Sequence, residues 1–223
     1  MLELHIVGQG PLKFSPAQLI IAGWTGRDRA AVEHHIRELE ALGVRPPAST
    51  PCFYPLSHQL LTTAAELEVP RAHSSGEVEC VLLADADDLY VGVGSDHTDR
   101  QVEAYDVTVS KQMCAKPIGS QLWRFDEVLP HWDQLRMRSW RSRNGARELY
   151  QEGSVASLLH PLTLIERYGQ GQPLPVGAVL FGGTLAVKAP LGHGDAFELE
   201  LHDPVLGRSL RHAYRVKALE VAA

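Results

Sequence analysis

SSGEVECVLLADADDLYVGVGSDHTDRQVEAYDVTVSK, residues Ser74 to Lys111, decides how this chain folds. Glu77 to Leu83 is an apolar run carrying two alternating carboxylates. Asp85 to Asp88 is a polar turn, and Leu89 to Gly94 is a second run. The pattern predicts two strands joined by a return, with Gly92 and Gly94 marking a bend or a close backbone approach. The cluster Ser95-Asp96-His97-Thr98-Asp99-Arg100 follows, and Lys111 comes after it. No other part of the chain packs so many ionisable groups beside apolar runs.

On a strand, side chains two apart share a face, so Glu77 and Glu79 point the same way. Like charges on one face repel unless something offsets them. On spacing alone, a solvated edge strand with two exposed glutamates is the plainer reading. Asp96 changes the balance, because a strand return carries it toward the pair. Three converging carboxylates suit a hard divalent cation, which prefers carboxylate oxygens. His97 or Asp99 would then be a further ligand or an orienting group. An aspartate-capped turn with Arg100 as ion-pair partner is the structural alternative.

Outward from this stretch the chain reads as β-rich. Met1 to Gly10 alternates as a strand, and Leu19 to Gly23 is a second short one. Thr25 or Asp28 caps a helix from about Arg29 to Leu42, which Gly43 ends. Val44 to Pro55 contains four prolines and reads as an extended connector, neither a helix nor a central strand. Asp99 to Gln112 reads as helical or irregular, with a turn or short helix around Asp126 to Val128. Asn144-Gly145 is the strongest hairpin signal, between strands at Leu135–Trp140 and Glu148–Tyr150. Ser154 to Arg167 has helical spacing interrupted by Pro161. The last strands fall at Ala178–Phe181, Ala196–Leu201 and Ser209–Val216. The element count predicts an α+β fold with one helix early and one late.

The 223 residues fit one domain, 1–223, in which 1–70 form N-terminal strands, a helix and a connector, and 71–223 the β-rich core. The net charge of -6 argues against nucleic acid as a partner. The basic run Arg136–Arg147 reads as a solvated strand-turn face. No apolar run approaches the ~20 residues of a membrane span. Cys52, Cys80 and Cys114 show no zinc or CxxC spacing, so reduced thiols and a cytoplasmic setting are expected. The N-terminus reads as a strand and not as a secretion leader. On the helix, His35 and Glu38 are neighbours three apart, a spacing at which Glu can orient a His acting as general base. On the local sequence a polar helix face carrying such a pair by chance is the plainer reading, and His34 is as available as His35. Trp24 reads as a packed aromatic or a pocket wall. Arg27 is suited to a bidentate grip on a substrate carboxylate or to surface pairing at the helix start.

The ordered set Glu77-x-Glu79, Asp96-x-Thr98-x-Arg100 and then a lysine resembles the fumarylacetoacetate hydrolase superfamily. The resemblance runs over Gly76 to Val216. It includes Lys111 ahead of Pro117-Ile118-Gly119 (with Lys116 as a rival), Asn144-Gly145, Gln151-Glu152-Gly153, Gly182-Gly183-Thr184 and Gly194-Asp195. It implies a mixed β-roll or sandwich core with a few short helices, of the C-terminal-domain type of that family. It implies Glu77, Glu79 and Asp96 as ligands of Mg²⁺, with Mn²⁺ or Ca²⁺ as substitutes. Asp106 lacks the following arginine and is the weaker third ligand. Lys111 would act on developing negative charge, and His35-Ile36-Arg37-Glu38 matches the family's lid pair. Arg27, Gln151, Gly183 and Thr184 become substrate-binding candidates. The implied function is hydrolysis, decarboxylation or hydration of a small 2-oxo acid or 1,3-dicarbonyl through a metal-stabilised enolate, in a homodimer. A noncatalytic small-molecule-binding or assembly protein on the same scaffold is the alternative. The sequence departs from the family at Gly177-Ala178, at Leu185 after Thr184, and in a short gap between Glu79 and Asp96.

Overall fold

The computed structural model describes residues 1–41, 46–86 and 88–220; the side chains of His35, Glu38 and Leu39 lie outside that description. In chain order, β1 (Leu2–Ile6), β2 (Gly10–Phe14) and β3 (Gln18–Gly23) precede α1 (Arg29–Ala41) and β4 (Cys52–Leu56). Three short strands follow: β5 (Leu61–Thr62), β6 (Glu66–Pro70) and β7 (Ser74–Ser75). The hairpin of β8 (Val78–Ala84) and β9 (Leu89–Ser95) leads into β10 (Thr98–Asp99), α2 (Arg100–Glu103) and α3 (Val107–Gln112). Then come β11 (Lys116–Pro117), β12 (Gln121–Arg124), α4 (Phe125–Val128), β13 (Arg136–Arg143) and β14 (Ala146–Ser154). The chain closes with α5 (Pro161–Gly169), β15 (Ala178–Thr184), β16 (Ala196–Asp203) and β17 (Arg208–Leu219).

Two large sheets result. The first has eight strands in the order β2-β1-β12-β9-β8-β15-β3-β4, the second five in the order β14-β13-β16-β17-β6. Both are mixed, with β15 parallel to β3 and β17 parallel to β6. The hairpin is central because β8 is apolar on both faces and buried along its whole length. Val78, Cys80 and Leu82 face the second sheet and join a cluster with Trp123, Met137, Tyr150, Phe197, Leu199 and Tyr214. Val81 and Leu83 face the other way, into a cluster with Phe14, Leu19, Ile21, Leu56, Leu122 and Phe181. That second cluster includes residues from all eight strands of the first sheet, so the sheet curls around its own core. Each large apolar side chain removed from water contributes about 1.5–3 kcal/mol, which sets the register of both layers. This β-rich α+β architecture is the expected one.

Local signals hold in most places. Asp28 Oδ1 accepts from the N–H groups of Ala30 and Ala31 and so caps α1. Asn144 and Gly145 both have positive φ, 51° and 77°, as a two-residue hairpin turn of type I′ requires. Three expectations need correction. The proline-rich connector contains a real strand: β4 pairs antiparallel with β3 at the sheet edge, where Pro55 is tolerated. Pro161 starts α5 instead of interrupting it, with His160 as cap, because the first helical turn does not need the missing N–H. The helices number five among the described residues, since Asp99 and Asp106 each cap a short one after the hairpin. Gly43 lies outside the described residues. β1 to β4 are strands of the same sheet as β8, β9 and β15.

Candidate metal centre

The β8–β9 register pairs Val78 with Ser95 and Glu79 with Gly94. One step beyond the ladder, the Asp96 N–H donates to the Glu77 carbonyl at 3.0 Å. This short hairpin therefore carries Asp96 directly to the glutamate pair. One carboxylate oxygen from each of Glu77, Glu79 and Asp96 lies within 4.8 Å of the others. Glu79 and Asp96 are buried, and the Glu77 side chain is 16% exposed.

Electrostatics separate the three. Burial opposes ionisation of Asp96, but Lys111 and Lys116 outweigh it and hold its carboxyl down at about 2. Lys111 Nζ donates to Asp96 Oδ2 at 2.5 Å, and Lys116 Nζ lies 3.3 Å from Asp96 Oδ1. Glu77 has Arg100 at 3.1 Å and Lys111 at 4.0 Å, yet burial still leaves its carboxyl raised. Glu79 forms no ion pair among the described residues; its partner is the Gly183 N–H at 2.8 Å. Burial first, then the negative charge of Asp96 and Glu77, lifts its carboxyl well above the usual carboxylate range. A buried acidic oxygen cluster with more carboxylate than it can keep ionised is a donor set that fits a hard divalent cation.

Lys111 projects from α3, whose N-terminus Asp106 caps through the Val109 N–H. Burial favours its neutral amine, but Asp96 and Glu77 overcome that and hold the ammonium form above the usual lysine range. The Nζ also stands 5.8 Å from the centre of the Tyr54 ring. Lys116 is fully buried and differently employed. Its Nζ donates to the carbonyls of His97, Lys111 and Cys114 at 2.5, 2.5 and 3.0 Å, and so ties the segment around Asp96 together. Asp106 stays at the helix cap and Asp99 caps α2, so neither joins the carboxylate cluster. Thr98 Oγ1 donates to Asp96, and Arg100 is shared by Glu77 and Glu103. His97 is buried and packs its ring between Phe197 and Tyr214. Burial, aided by Lys116 and Arg100, lowers it to about 3, so it is a neutral imidazole, with its ring nitrogens against Tyr214 and Ser74.

The substrate-binding expectations meet a different arrangement. Gln151 is fully buried, and all its hydrogen-bonding capacity is used. Its Oε1 accepts from Val78 N–H and Ser139 Oγ at 2.9 Å each, and its Nε2 donates to Thr184 Oγ1 at 2.8 Å and the Leu185 carbonyl at 2.6 Å. It is a bracket between the sheets. Thr184 Oγ1 donates to the Val78 carbonyl, so it too belongs to that bracket. Gly183 turns its N–H toward Glu79 and not toward an open space. Its φ is +95°, and a Cβ there would lie 1.8 Å from Thr25 Oγ1. Arg27 gives both Nη atoms to Asp133 at 2.8 Å and Nε to the Leu158 carbonyl. The surface pairing is the one observed, and the fork is already engaged. His35 and Glu38 lie on α1, but their side chains fall outside the described residues. Lys116, a rival to Lys111 in the sequence, lies beneath Asp96 instead, and Tyr214, which arrives from the last strand to frame the centre, had no sequence signal.

A family model described as "Protein of unknown function (DUF2848)" matches residues 22–214. No curated protein matches the chain. Solved structures with a similar fold include a Yersinia pestis CO92 protein named for the fumarylacetoacetate hydrolase family. It is 19% identical, with 97% of this chain and 100% of that one covered, at a TM-score of 0.65. A yeast fumarylacetoacetate hydrolase family protein is 18% identical, covering 91% and 94%, at 0.62. The 2-keto-3-deoxy-D-arabinonate dehydratase complexed with magnesium and 2,5-dioxopentanoate is 17% identical, covering 92% and 75%, at 0.60. At such identities the likeness is one of fold. No helix among the described residues is long and apolar enough to cross a membrane. By the match over residues 22–214 the chain belongs to the family described as protein of unknown function DUF2848, and its fold is that of the fumarylacetoacetate hydrolase family.

Proposed function

We propose that this protein is a divalent-cation-dependent hydrolase or lyase acting on a small 2-oxo acid or 1,3-dicarbonyl. The observation that carries this reading is the convergence of Glu77, Glu79 and Asp96 beside the Lys111 ammonium. Those three carboxylates would hold the cation, Mg²⁺ first and Mn²⁺ or Ca²⁺ as substitutes. When bound, the cation supplies Lewis-acid stabilisation of negative charge on a chelating oxo acid. Lys111, kept protonated by Asp96 and Glu77, is fitted to stabilise an oxyanion or give up a proton, and not to act as a base. Arg100 and Lys116 keep their carboxylates placed while charge moves. His35 and Glu38 are carried by α1 and remain the candidates for activating water. Magnesium and an oxo compound in the dehydratase of similar fold support this substrate class. The proposed setting is a cytoplasmic homodimer whose partner is a small carboxylate and neither nucleic acid nor membrane.

The full engagement of Gln151, Thr184 and Arg27 in internal bonds favours a second reading, a noncatalytic binding protein on the same scaffold. One experiment separates them. Protein loaded with Mg²⁺ or Mn²⁺ is assayed against acylpyruvates, oxaloacetate and 2-oxo-enoic acids, with calorimetry of metal binding alongside. Turnover that disappears with chelator and in Glu79→Gln supports the enzyme. Metal bound without turnover on any of these leaves the binding protein. No metal bound removes both the centre and the enzyme.

A further inference from the structure

The five-stranded sheet approaches the carboxylates through side chains that the proposed chemistry does not use. Tyr214 on β17 is buried, and its hydroxyl donates to Ser95 Oγ at 2.9 Å. Ser95 Oγ accepts from the Glu77 N–H at 3.0 Å. The same Tyr214 oxygen lies 3.0 Å from His97 Nδ1, and His97 Nε2 lies 2.8 Å from Ser74 Oγ. The hydroxyl therefore stands between the two residues that flank Asp96 and, through Ser95, reaches the backbone of Glu77. Packing leaves it no slack: a Cβ on Gly76 would lie 2.4 Å from this oxygen and 2.8 Å from Ser95 Oγ. The residue after Glu77 is fixed from the same sheet, because the Val78 N–H donates to Gln151.

We propose that Tyr214 is a positioning residue for the cation, setting the spacing between Asp96 and Glu77 from the opposite sheet through Ser95 and His97. This rests on the cation-dependent reading above. An outer group that orients ligands acts on metal affinity, by about 10–100-fold when removed. A tyrosine that only fills the core acts on stability and leaves affinity alone.

Tyr150 is the matched control. It is fully buried, touches the same Phe197 ring, and its hydroxyl has no hydrogen-bond partner among the described residues. Calorimetry with Mn²⁺ and thermal unfolding are run on the wild type, Tyr214→Phe, Tyr150→Phe and Ser95→Ala. Tyr214→Phe and Ser95→Ala are expected to bind Mn²⁺ at least about tenfold more weakly, and Tyr150→Phe as the wild type does. Ser95→Ala carries the test alone if Tyr214→Phe fails to fold. Wild-type affinity in a folded Tyr214→Phe, or an equal loss in Tyr150→Phe, overturns the positioning role while the metal centre stands. A wild type that binds no Mn²⁺ overturns the metal centre itself.

Discussion

The chain carries the pattern Glu-x-Glu on three strands, and two of them bury their second glutamate in different surroundings: Glu77-Val78-Glu79 leading into β8, and Glu198-Leu199-Glu200 on β16. In each, the middle residue is buried in the core between the sheets, and the second glutamate is almost fully buried, 2% exposed for Glu79 and 4% for Glu200. Their acidities nevertheless move in opposite directions. Burial opposes ionisation of Glu200, but Arg211 at 2.7 Å and Arg138 at 3.1 Å hold its carboxyl below the usual range. Glu198 is lowered by its hydrogen bonds from Arg147. Burial raises Glu77 and Glu79, and the nearby cations go mainly to Asp96. Burial alone therefore does not mark the centre. What marks it is a third carboxylate arriving by hairpin register where side-chain cations are too few.

The sharpest way to break this contrast is to delete each pair. Glu77→Ala with Glu79→Ala should weaken Mn²⁺ binding by more than about 100-fold, beyond the loss of an outer orienting group. Glu198→Ala with Glu200→Ala should leave it as in the wild type. Calorimetry decides, and metal retained by the first variant or lost by a folded second variant would remove the distinction.

Gln151→Ala comes next in size. It strips partners from the Val78 N–H, the Leu185 carbonyl and two hydroxyls, and should cost about 2–3 kcal/mol in urea unfolding. A residue serving only to hold substrate would show wild-type unfolding and a raised KM.

Asp203 tests the paired side of the comparison. Burial works against its charge, but N–H groups of Leu206 and Val205 and the His131 ring outweigh this and hold its carboxyl below the usual range. A carboxyl depressed on folding contributes stability above its unfolded pKa and loses it as pH falls through the folded value. Asp203→Asn should therefore cost about 1–3 kcal/mol at pH 7, and the gap from wild type should shrink in acid. Denaturant melts across pH measure this, and a gap that does not change with pH counts against it.

The smallest effect belongs to the exposed pair. Arg147→Ala removes the ion pair to Glu198 and the stacking over Trp140, both half-exposed at the guanidinium, and should cost at most about 1 kcal/mol. Added salt should erase the ion-pair share of that loss.

Much of this was legible because it is local. The hairpin at Asn144-Gly145, the Asp28 cap and the two strands of the central stretch depend on neighbours in sequence and were expected within a residue or two. The grouping of Glu77, Glu79 and Asp96 was also within reach, because one short hairpin connects them. The roles of Gln151, Gly183 and Thr184 were not. Their motif resemblance placed them near the site, but whether a buried amide faces ligand or frame depends on partners in other strands. Gly183 meets Glu79 across 104 positions of sequence, and Tyr214 meets Ser95 across 119.

By itself, then, the sequence determined the alternation that faces Glu77 and Glu79 together, the return that brings Asp96 back, and the β-rich class. Side-chain period and turn chemistry are properties of a few consecutive residues. Only the tertiary structure decided which Glu-x-Glu keeps a buried glutamate without an ion pair among the described residues, which lysine meets Asp96 from α3 and which lies buried beneath it, and that Gln151 braces the frame. Those outcomes depend on strand register and on charge removed from water, and both are set by packing between sheets.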